Sequence, residues 1–493
     1  MRFDVSSSEG RQAHAPPPSL GPEVLTMPTR RQDRTHPHTP GDPARPRVLV
    51  IGAGVAGLEV AKGLRNAPCD VLVIDQHNHY TFQALLYQVA SAHLDAGDIA
   101  RPVRAILQEI PNARFRHGTV HAVDWTAREV QLADGARLPF DHLVVAAGAI
   151  YTDFGVPGVR KHAHFLKSVS EAVNLRSDIL LRFEEAAAQP RRTDDGTLTF
   201  TIVGGGPTGV EMAGALAELV DDAMKRDYPE LDLSQVRITL LEMGDGLLPA
   251  FSERSRHHAR EVLERRGVEV RLGTTVQEVH ADAVELDTGE RLPTRTVVWA
   301  AGVRAHPLAE TLGTPTTRGG RLEILDDLSL PGHPNAWAAG DVAAGKKPDG
   351  ALLPQVAPAA IQHGKHIARN IRARLRGEAT RPFRYFDKGN MAIIGRNAGI
   401  AEASRRLGGL HFRGFVGWVA WLLLHLVYLP GHRNRLGAFT AWAYHYVTRD
   451  RHARLITEMR HSPLAQTGRR GRLPHPPRRA PGTAPQAHPP HRT

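Results

Sequence analysis

The chain has 493 residues, 41% of them hydrophobic, with a formal net charge of +11 and one cysteine. That length holds two or three domains and a large core, and the hydrophobic content is ordinary for a soluble protein. With Cys69 alone, no disulfide forms within the chain, and reductase chemistry that runs through a pair of protein thiols is excluded.

Residues 1–46 are rich in Pro, His and Arg and poor in aromatics, the composition of a disordered tail. No apolar h-region marks a secretory signal there. Arg47 to Ile51 (RVLVI) is a β-branched run suited to a buried parallel strand. Gly52-Ala53-Gly54-Val55-Ala56-Gly57 follows at once, and LEVAKGLR then reads as helix. Gly52 permits a tight turn, Gly54 lets the backbone approach a pyrophosphate, and Gly57 lets helix and strand pack closely. The helix start offers free N–H groups and a positive dipole end to phosphate. A second strand, Asp70 to Ile74, ends at Asp75, an acid placed to hydrogen-bond a ribose.

The same order returns further on. Leu198 to Val203 is the strand, Gly204-Gly205-Gly206-Pro207-Thr208-Gly209 the loop and VEMAGALAEL the helix. Arg237 to Leu241 is the next strand and Glu242 its terminal acid, after a longer spacer, DAMKRDYPELDLSQ, read as helix extension and loop. A lone GxGxxG is weak, but strand, glycines, helix, strand and acid in order twice imply two bound dinucleotides. That suits electron transfer from a nicotinamide to a flavin. Glu242 favours the free ribose hydroxyls of NADH over the 2′-phosphate of NADPH, and no Arg or Lys follows it in MGDGLL.

His142 to Gly148 and Thr296 to Gly302 read as strands ending in small residues, which allow a backbone close to a flat cofactor. Asn335 to Asp341 ends in Gly340-Asp341. Phe415 to Leu429 is apolar apart from Gly417 and His425. Fifteen residues span roughly 22 Å as a helix, short of a hydrocarbon core of roughly 30 Å, so a buried or interfacial helix is expected. After Pro430-Gly431, Leu436, Phe439, Trp442 and Tyr446 recur at helical spacing beside Arg and His, a pattern favoured at membrane–water interfaces. A pair of core helices in a dimer interface is the alternative. Residues 381–493 carry 19 Arg or Lys against 4 Asp or Glu, net +15, which leaves −4 for the rest. Such asymmetry points to a polyanionic surface; the apolar run is too Leu-rich for a nucleic-acid platform. Histidine pairs such as His77/His79 and His257/His258 lack further ligands at metal spacing, so no metal is expected.

Together these segments resemble the flavoproteins with two dinucleotide domains, of glutathione-reductase-like α/β fold. The resemblance implies FAD on the first fingerprint, NADH on the second, and Asp341 on the ribityl chain of FAD. Val120, Gly148 and Gly302 join the cofactor-binding set. It divides the chain into a FAD domain in two parts (47–165 and 316–380), an NADH domain (166–315), a quinone and membrane-associating region (381–457) and a disordered basic tail (458–493). More specifically, residues 46–457 resemble the type II, non-proton-pumping NADH:quinone oxidoreductases. Asn78 to Arg101, Leu353 to Asn370, and Phe383 to Gly395 with the GF…WL…HL segments after it carry that resemblance.

The resemblance assigns Glu211 to a glutamate near flavin and quinone, Lys388 to its lysine partner, and Gln362 to the last residue of a quinone-site AQxAxQ segment. From the residues alone, Glu211 also suits a helix dipole and Lys388 a solvated surface. Pro358 replaces the first Gln of that segment, which removes a donor there, and Gln355 is the nearest substitute. The resemblance thus implies an NADH-to-quinone reductase, peripheral on the cytoplasmic face of a bacterial membrane. A soluble reductase that passes electrons to ferredoxin or oxygen is the alternative.

Overall fold

The computed structural model describes residues 45–189, 195–317, 319–347 and 349–457. The tails expected to be disordered, 1–46 and 458–493, lie outside these residues except for Arg45 and Pro46.

Two parallel sheets repeat one plan. In the first, Arg47–Ile51 lies between Asp70–Asp75 and His142–Val145. Ala113–His117 and His333–Ala338 extend the two sides. In the second, Thr199–Val203 lies between Arg237–Glu242 and Thr296–Trp299. Val268–Leu272 and Ala163–His164 extend it. The central strands are covered on both faces, which explains their unbroken apolar sequence. Each sheet sends out a three-stranded antiparallel excursion, residues 120–139 in the first and 276–293 in the second. Ala149–Tyr151 pairs antiparallel with Val303–Ala305, the ribbon through which the chain leaves one sheet and returns from the other. Ala163–His164, within the segment 47–165, pairs in the second sheet.

The C-terminal region begins with a sheet of Gly389–Gly395, Ala398–Ala403 and His411–Arg413. Helices Gly414–Tyr428 and His432–Thr448 follow. Their inner side packs on the body, where Trp421, Leu429 and Ala438 are buried. The Asn434 amide donates to the carbonyls of Gly97, Asp98 and Ala100, and the Trp442 indole to Gln88 Oε1 at 2.7 Å. The outer side exposes Phe415, Leu423, Val427, Leu436, Phe439 and Val447. The expected stripe therefore divides: Leu436 and Phe439 face out, while Trp442 bonds inward and Tyr446 stacks on Trp418 with ring centroids 5.4 Å apart. Among the described residues no helix is long and apolar enough to cross a membrane.

The fingerprint glycines differ in what demands them. Gly52 has φ +103°, and a Cβ there would lie 2.3 Å from the Ala146 carbonyl oxygen; at Gly57 it would lie 1.9 Å from that of Gly52. Gly204 and Gly209 repeat this at 2.6 Å and 1.9 Å from backbone oxygens. At Gly54 and Gly206 a Cβ would meet nothing within 4 Å. The outer glycines serve the chain's own packing, and the middle ones face open space at a helix N-terminus. Gly57→Ala should lower the melting temperature, since forced overpacking costs about 1–3 kcal/mol. Gly54→Ala should melt within about 0.5 kcal/mol of the parent yet retain its dinucleotide less well. Thermal unfolding and cofactor content of both variants check this, and equal melting temperatures would contradict it.

Candidate active site

The two terminal acids close their own loops. Asp75 Oδ2 accepts the Ala53 N–H at 2.7 Å, and Oδ1 accepts the His77 N–H at 2.7 Å. Glu242 does the same with Gly205 N–H at 2.5 Å and Gly244 N–H at 2.7 Å. Each carboxylate keeps lone pairs for a ribose hydroxyl. Burial pushes Asp75 up, but its bonds from the His77 side chain and the His77 and Ala53 N–H groups outweigh this and hold it below the usual range. Val120 is buried at the start of a strand beside Gly118, whose N–H bonds the Asp75 carbonyl at 2.9 Å. Gly148 has φ +73°, and a Cβ at Gly302 would come within 2.9 Å of the Phe154 ring. Gly340, at φ +74°, fits between Ala56 and Ala360, where a Cβ would sit 3.4 and 3.5 Å from theirs. Asp341 follows, partly exposed, with Lys167 Nζ 3.6 Å away. An open cradle at Gly54, a ribose-directed Asp75 and an accessible Asp341 fit FAD; the cradle at Gly206 with Glu242 fits NADH.

Two neighbours are not legible from sequence. Lys167 has no motif around it. Arg256 lies over the loop after Glu242, where its guanidinium bonds Asp245 at 2.7 Å and the Leu247 carbonyl at 3.2 Å. The absence of a cation in MGDGLL is thus a local statement, and the fold supplies one from the next helix.

Glu211 sits on helix Pro207–Leu219, buried beneath the strand Gly389–Gly395, with Oε1 accepting the Ile393 N–H at 3.4 Å. Burial raises its pKa to about 8, with the Ile393 N–H and the Trp421 indole acting the other way. At neutral pH it is a protonated acid, able to donate.

Lys388 is elsewhere. Its ammonium is exposed and donates to the Tyr428 hydroxyl at 3.0 Å. Among the described residues it forms no ion pair with Glu211; Ile393 lies five residues further on, roughly 16 Å along an extended chain. Gln362 is a clamp. Its Nε2 donates to the Phe386 carbonyl at 2.9 Å and the Pro358 carbonyl at 3.2 Å, and its Oε1 accepts the Phe386 N–H at 2.8 Å. It holds the segment that carries Lys388 against helix Ala357–Leu375. Pro358 stands in the first turn of that helix, where a missing N–H is harmless. Gln355 donates to the Asp341 carbonyl at 3.0 Å.

A charge cluster beyond Glu211 is equally invisible in the sequence. Glu218 Oε1 accepts the Arg396 N–H and the Arg266 guanidinium, the latter at 2.8 Å. Asp222 accepts from Arg396 at 2.9 and 3.0 Å. Arg451, fully buried, donates to the carbonyls of Ser91 at 2.7 Å and Ala215 at 3.1 Å. His93 and His445 meet edge to face with centroids 4.5 Å apart. These partners come from distant parts of the chain, and no local spacing announces them.

Residues 46–364 match the family model of the pyridine nucleotide-disulphide oxidoreductases. The chain is 37% identical to the type II NADH:quinone oxidoreductase Ndh of Mycobacterium tuberculosis, over 84% of its own length and 91% of that protein's. It is 33% identical to the type II NADH:quinone oxidoreductase of Staphylococcus aureus, over 72% and 89%. Its fold is similar to that of NDH2 from Plasmodium falciparum in complex with NADH, with a TM-score of 0.76 at 17% identity, covering 84% of this chain and 100% of that one. With two dinucleotide clefts of one plan, and with relatives aligned along most of both lengths, the protein belongs to the type II NADH:quinone oxidoreductases.

Proposed function

We propose that the protein passes two electrons from NADH, through FAD, to a quinone while it lies against a lipid surface, and pumps no protons. The C-terminal helical pair carries this reading: one side seals an acid in the body, and the other offers an apolar face to what lies outside. Gly52, Gly54, Gly57, Asp75, Val120, Gly148, Gly340 and Asp341 hold FAD, from segments 47–165 and 316–380. Gly204, Gly206, Gly209, Glu242 and Gly302 hold NADH, from segment 166–315. FAD, when bound, supplies the two-electron carrier between the substrates. Cys69 is fully buried, which leaves no accessible thiol as acceptor.

Quinone enters from the side of segment 381–457. Lys388 and Tyr428 stand at the approach, and Gln362 fixes their segment. Glu211 gives a proton to the developing quinol, for which its protonated state at neutral pH prepares it. The outer face of the helices meets anionic lipid, with the exposed Arg405, Arg406 and Arg433 nearby in sequence. The setting is the cytoplasmic face of a bacterial membrane. A soluble reductase for ferredoxin or oxygen leaves that face without a partner.

Purified FAD-loaded protein should oxidise NADH far faster with a soluble quinone analogue than with oxygen alone. Glu211→Gln should keep FAD and lose quinone-dependent turnover on the order of 10²-fold; normal quinone reduction would remove its assigned role. Stability supplies a second reading. Below the ordinary value of 4.5 the carboxyl is protonated in folded and unfolded chains alike. As pH rises toward about 8 only the unfolded chain ionises, so stability is lost across that window and then levels off. Glu211→Gln should therefore melt near the parent at pH 4.5 and above it at pH 8.

Removing the Glu242 charge with Glu242→Gln should lower the preference for NADH over NADPH by about tenfold, a difference of about 1.4 kcal/mol. Steady-state kcat/KM for both nucleotides checks it, and an unchanged ratio would point instead to Arg256 and Asp245.

Leu423→Asp with Phe439→Asp should abolish sedimentation with anionic vesicles and leave reduction of a water-soluble quinone intact. A dimer that hides these residues and binds no lipid would overturn the membrane reading.

A further inference from the structure

The net reaction needs a proton that NADH does not bring. A hydride carries two electrons and one proton, whereas a quinone becomes a quinol with two of each: NADH + H⁺ + quinone gives NAD⁺ + quinol. One proton per turnover must come from water. Glu211 is buried beneath Ile393 and Trp421, so if it gives that proton it must be refilled through the protein interior.

A cavity of about 50 Å³ borders Glu211, with Ile393 also in its wall. Its walls include Glu211, Ala215, Glu218, His93, Arg396 and His445, and Tyr446, partly exposed, lies at its rim. At least about 10–15 Å³ is needed to admit one water, so it has room for ordered water. Glu211 and Glu218 are seven residues apart on one helix face, roughly 10 Å, a span that ordered waters bridge.

The walls also want water. His445 Nδ1 faces the Asp450 carbonyl at 3.3 Å, which assigns the proton to Nδ1 and leaves Nε2 a buried acceptor that makes no hydrogen bond, 3.6 Å from Asp222 Oδ2. Arg451 Nε and Nη2, on a side chain with no exposure, make no hydrogen bond either, and Nη2 faces Glu218 Oε2 across 3.7 Å. Buried polar groups without protein partners are satisfied by ordered water. Burial pushes His445 down to about 4 and His93 well below its ordinary value, so both rings are neutral and can each accept and donate.

A metal is the competing occupant, because donor atoms of His93, Glu218 and His445 lie within 4.8 Å of one another. Glu218 already accepts from Arg266 and Arg396, and the Arg451 guanidinium is 3.7 Å away. Three guanidiniums against two carboxylates, Glu218 and Asp222, leave the cluster positive and repel a cation.

We propose that this cavity is the proton inlet of the enzyme, in which waters held by His445, His93 and the Glu218–arginine cluster carry solvent protons to Glu211. The inference rests on the quinone-reductase reading. Ala215 is four residues after Glu211 and three before Glu218 on the same helix face, and it lines the cavity. Ala215→Leu should plug it. FAD content and the rate of flavin reduction by NADH without quinone should stay at parent values. Quinone-dependent turnover should fall about tenfold or more, most at alkaline pH, with a larger solvent deuterium isotope effect and partial rescue by formate. Parent turnover with an unchanged pH profile and isotope effect in the FAD-loaded variant would overturn the inlet. Should Ala215→Leu fail to retain FAD, His445→Leu, which removes the acceptor nitrogen, is read by the same criteria. A parent protein without quinone-dependent turnover would sink the quinone-reductase reading and the inlet with it. A parent that turns over while both variants match it sinks the inlet alone.

Discussion

Glu211, Glu218 and Asp222 are the three buried acids on which the C-terminal region docks. Helix Pro207–Leu219 and its π-helical continuation Val220–Met224 present them at intervals of seven and four residues. Glu211 takes the Ile393 N–H, Glu218 the Arg396 N–H and the Arg266 guanidinium, and Asp222 the Arg396 guanidinium. Losing one partner of a buried charged pair costs about 3–5 kcal/mol, so the region is held to one register. The strand Gly389–Gly395 lies this close only because Gly214 lacks a side chain; a Cβ there would sit 2.1 Å from the Ile394 carbonyl oxygen. The helix that begins at the second glycine loop therefore ends as the anchor of the region that faces outward. Nucleotide cleft, buried acid and outer face share one rigid element.

Asp75 and Glu211, both near glycine-loop helices, end up in different states, and hydrogen-bond supply decides which. Asp75 and Glu242 each accept two short backbone N–H bonds. Glu211 accepts one long one and is otherwise buried. A helix N-terminus favours an anion by about 0.3–1 kcal/mol, less than one pKa unit at about 1.4 kcal/mol each. Burial moves Glu211 from 4.5 to about 8. The dipole argument that made Glu211 an ordinary N-terminal carboxylate thus fails on magnitude.

What the sequence made legible was local. Strand, glycine triplet, helix and terminal acid lie within 29 residues in the first copy (Arg47–Asp75) and 45 in the second (Leu198–Glu242), set by steric rules for glycine and by β-branched runs, and the fold reproduces both. The two C-terminal helices were legible from apolar content. Pairings across the chain were not. Nothing around Arg451 indicates that it reaches Ser91 and Ala215, and nothing around Gln362 indicates that its amide is spent on Phe386. Lys388 was matched to Glu211 by family pattern, yet the extended strand between Lys388 and Ile393 puts the two groups at different ends of the hairpin. Helical periodicity named Trp442 and Tyr446 as surface aromatics; the neighbour Gln88 turns Trp442 inward, while Tyr446 stays exposed and stacks on Trp418.

The basic charge of the C-terminal region shows why composition needs a fold before it names a partner. A net +15 over residues 381–493 reads as a polyanion-binding surface. Part of it points inward: Arg396 pairs with Asp222, Arg451 with Glu218, and Arg454 with Asp227 at 2.7 Å. Those cations neutralise acids of the body and do not meet lipid. Arg435 spends its guanidinium on the carbonyls of Leu429 and Val427, closing the turn between the two helices. The set that remains for an anionic surface is thinner, with Arg405, Arg406 and Arg433 exposed in the same stretch of sequence. Attraction to such a surface then comes first from buried apolar area and only second from charge. In the proposed membrane-bound state, raised salt would weaken attachment without abolishing it, whereas an acid placed in the apolar stripe would remove the larger contribution.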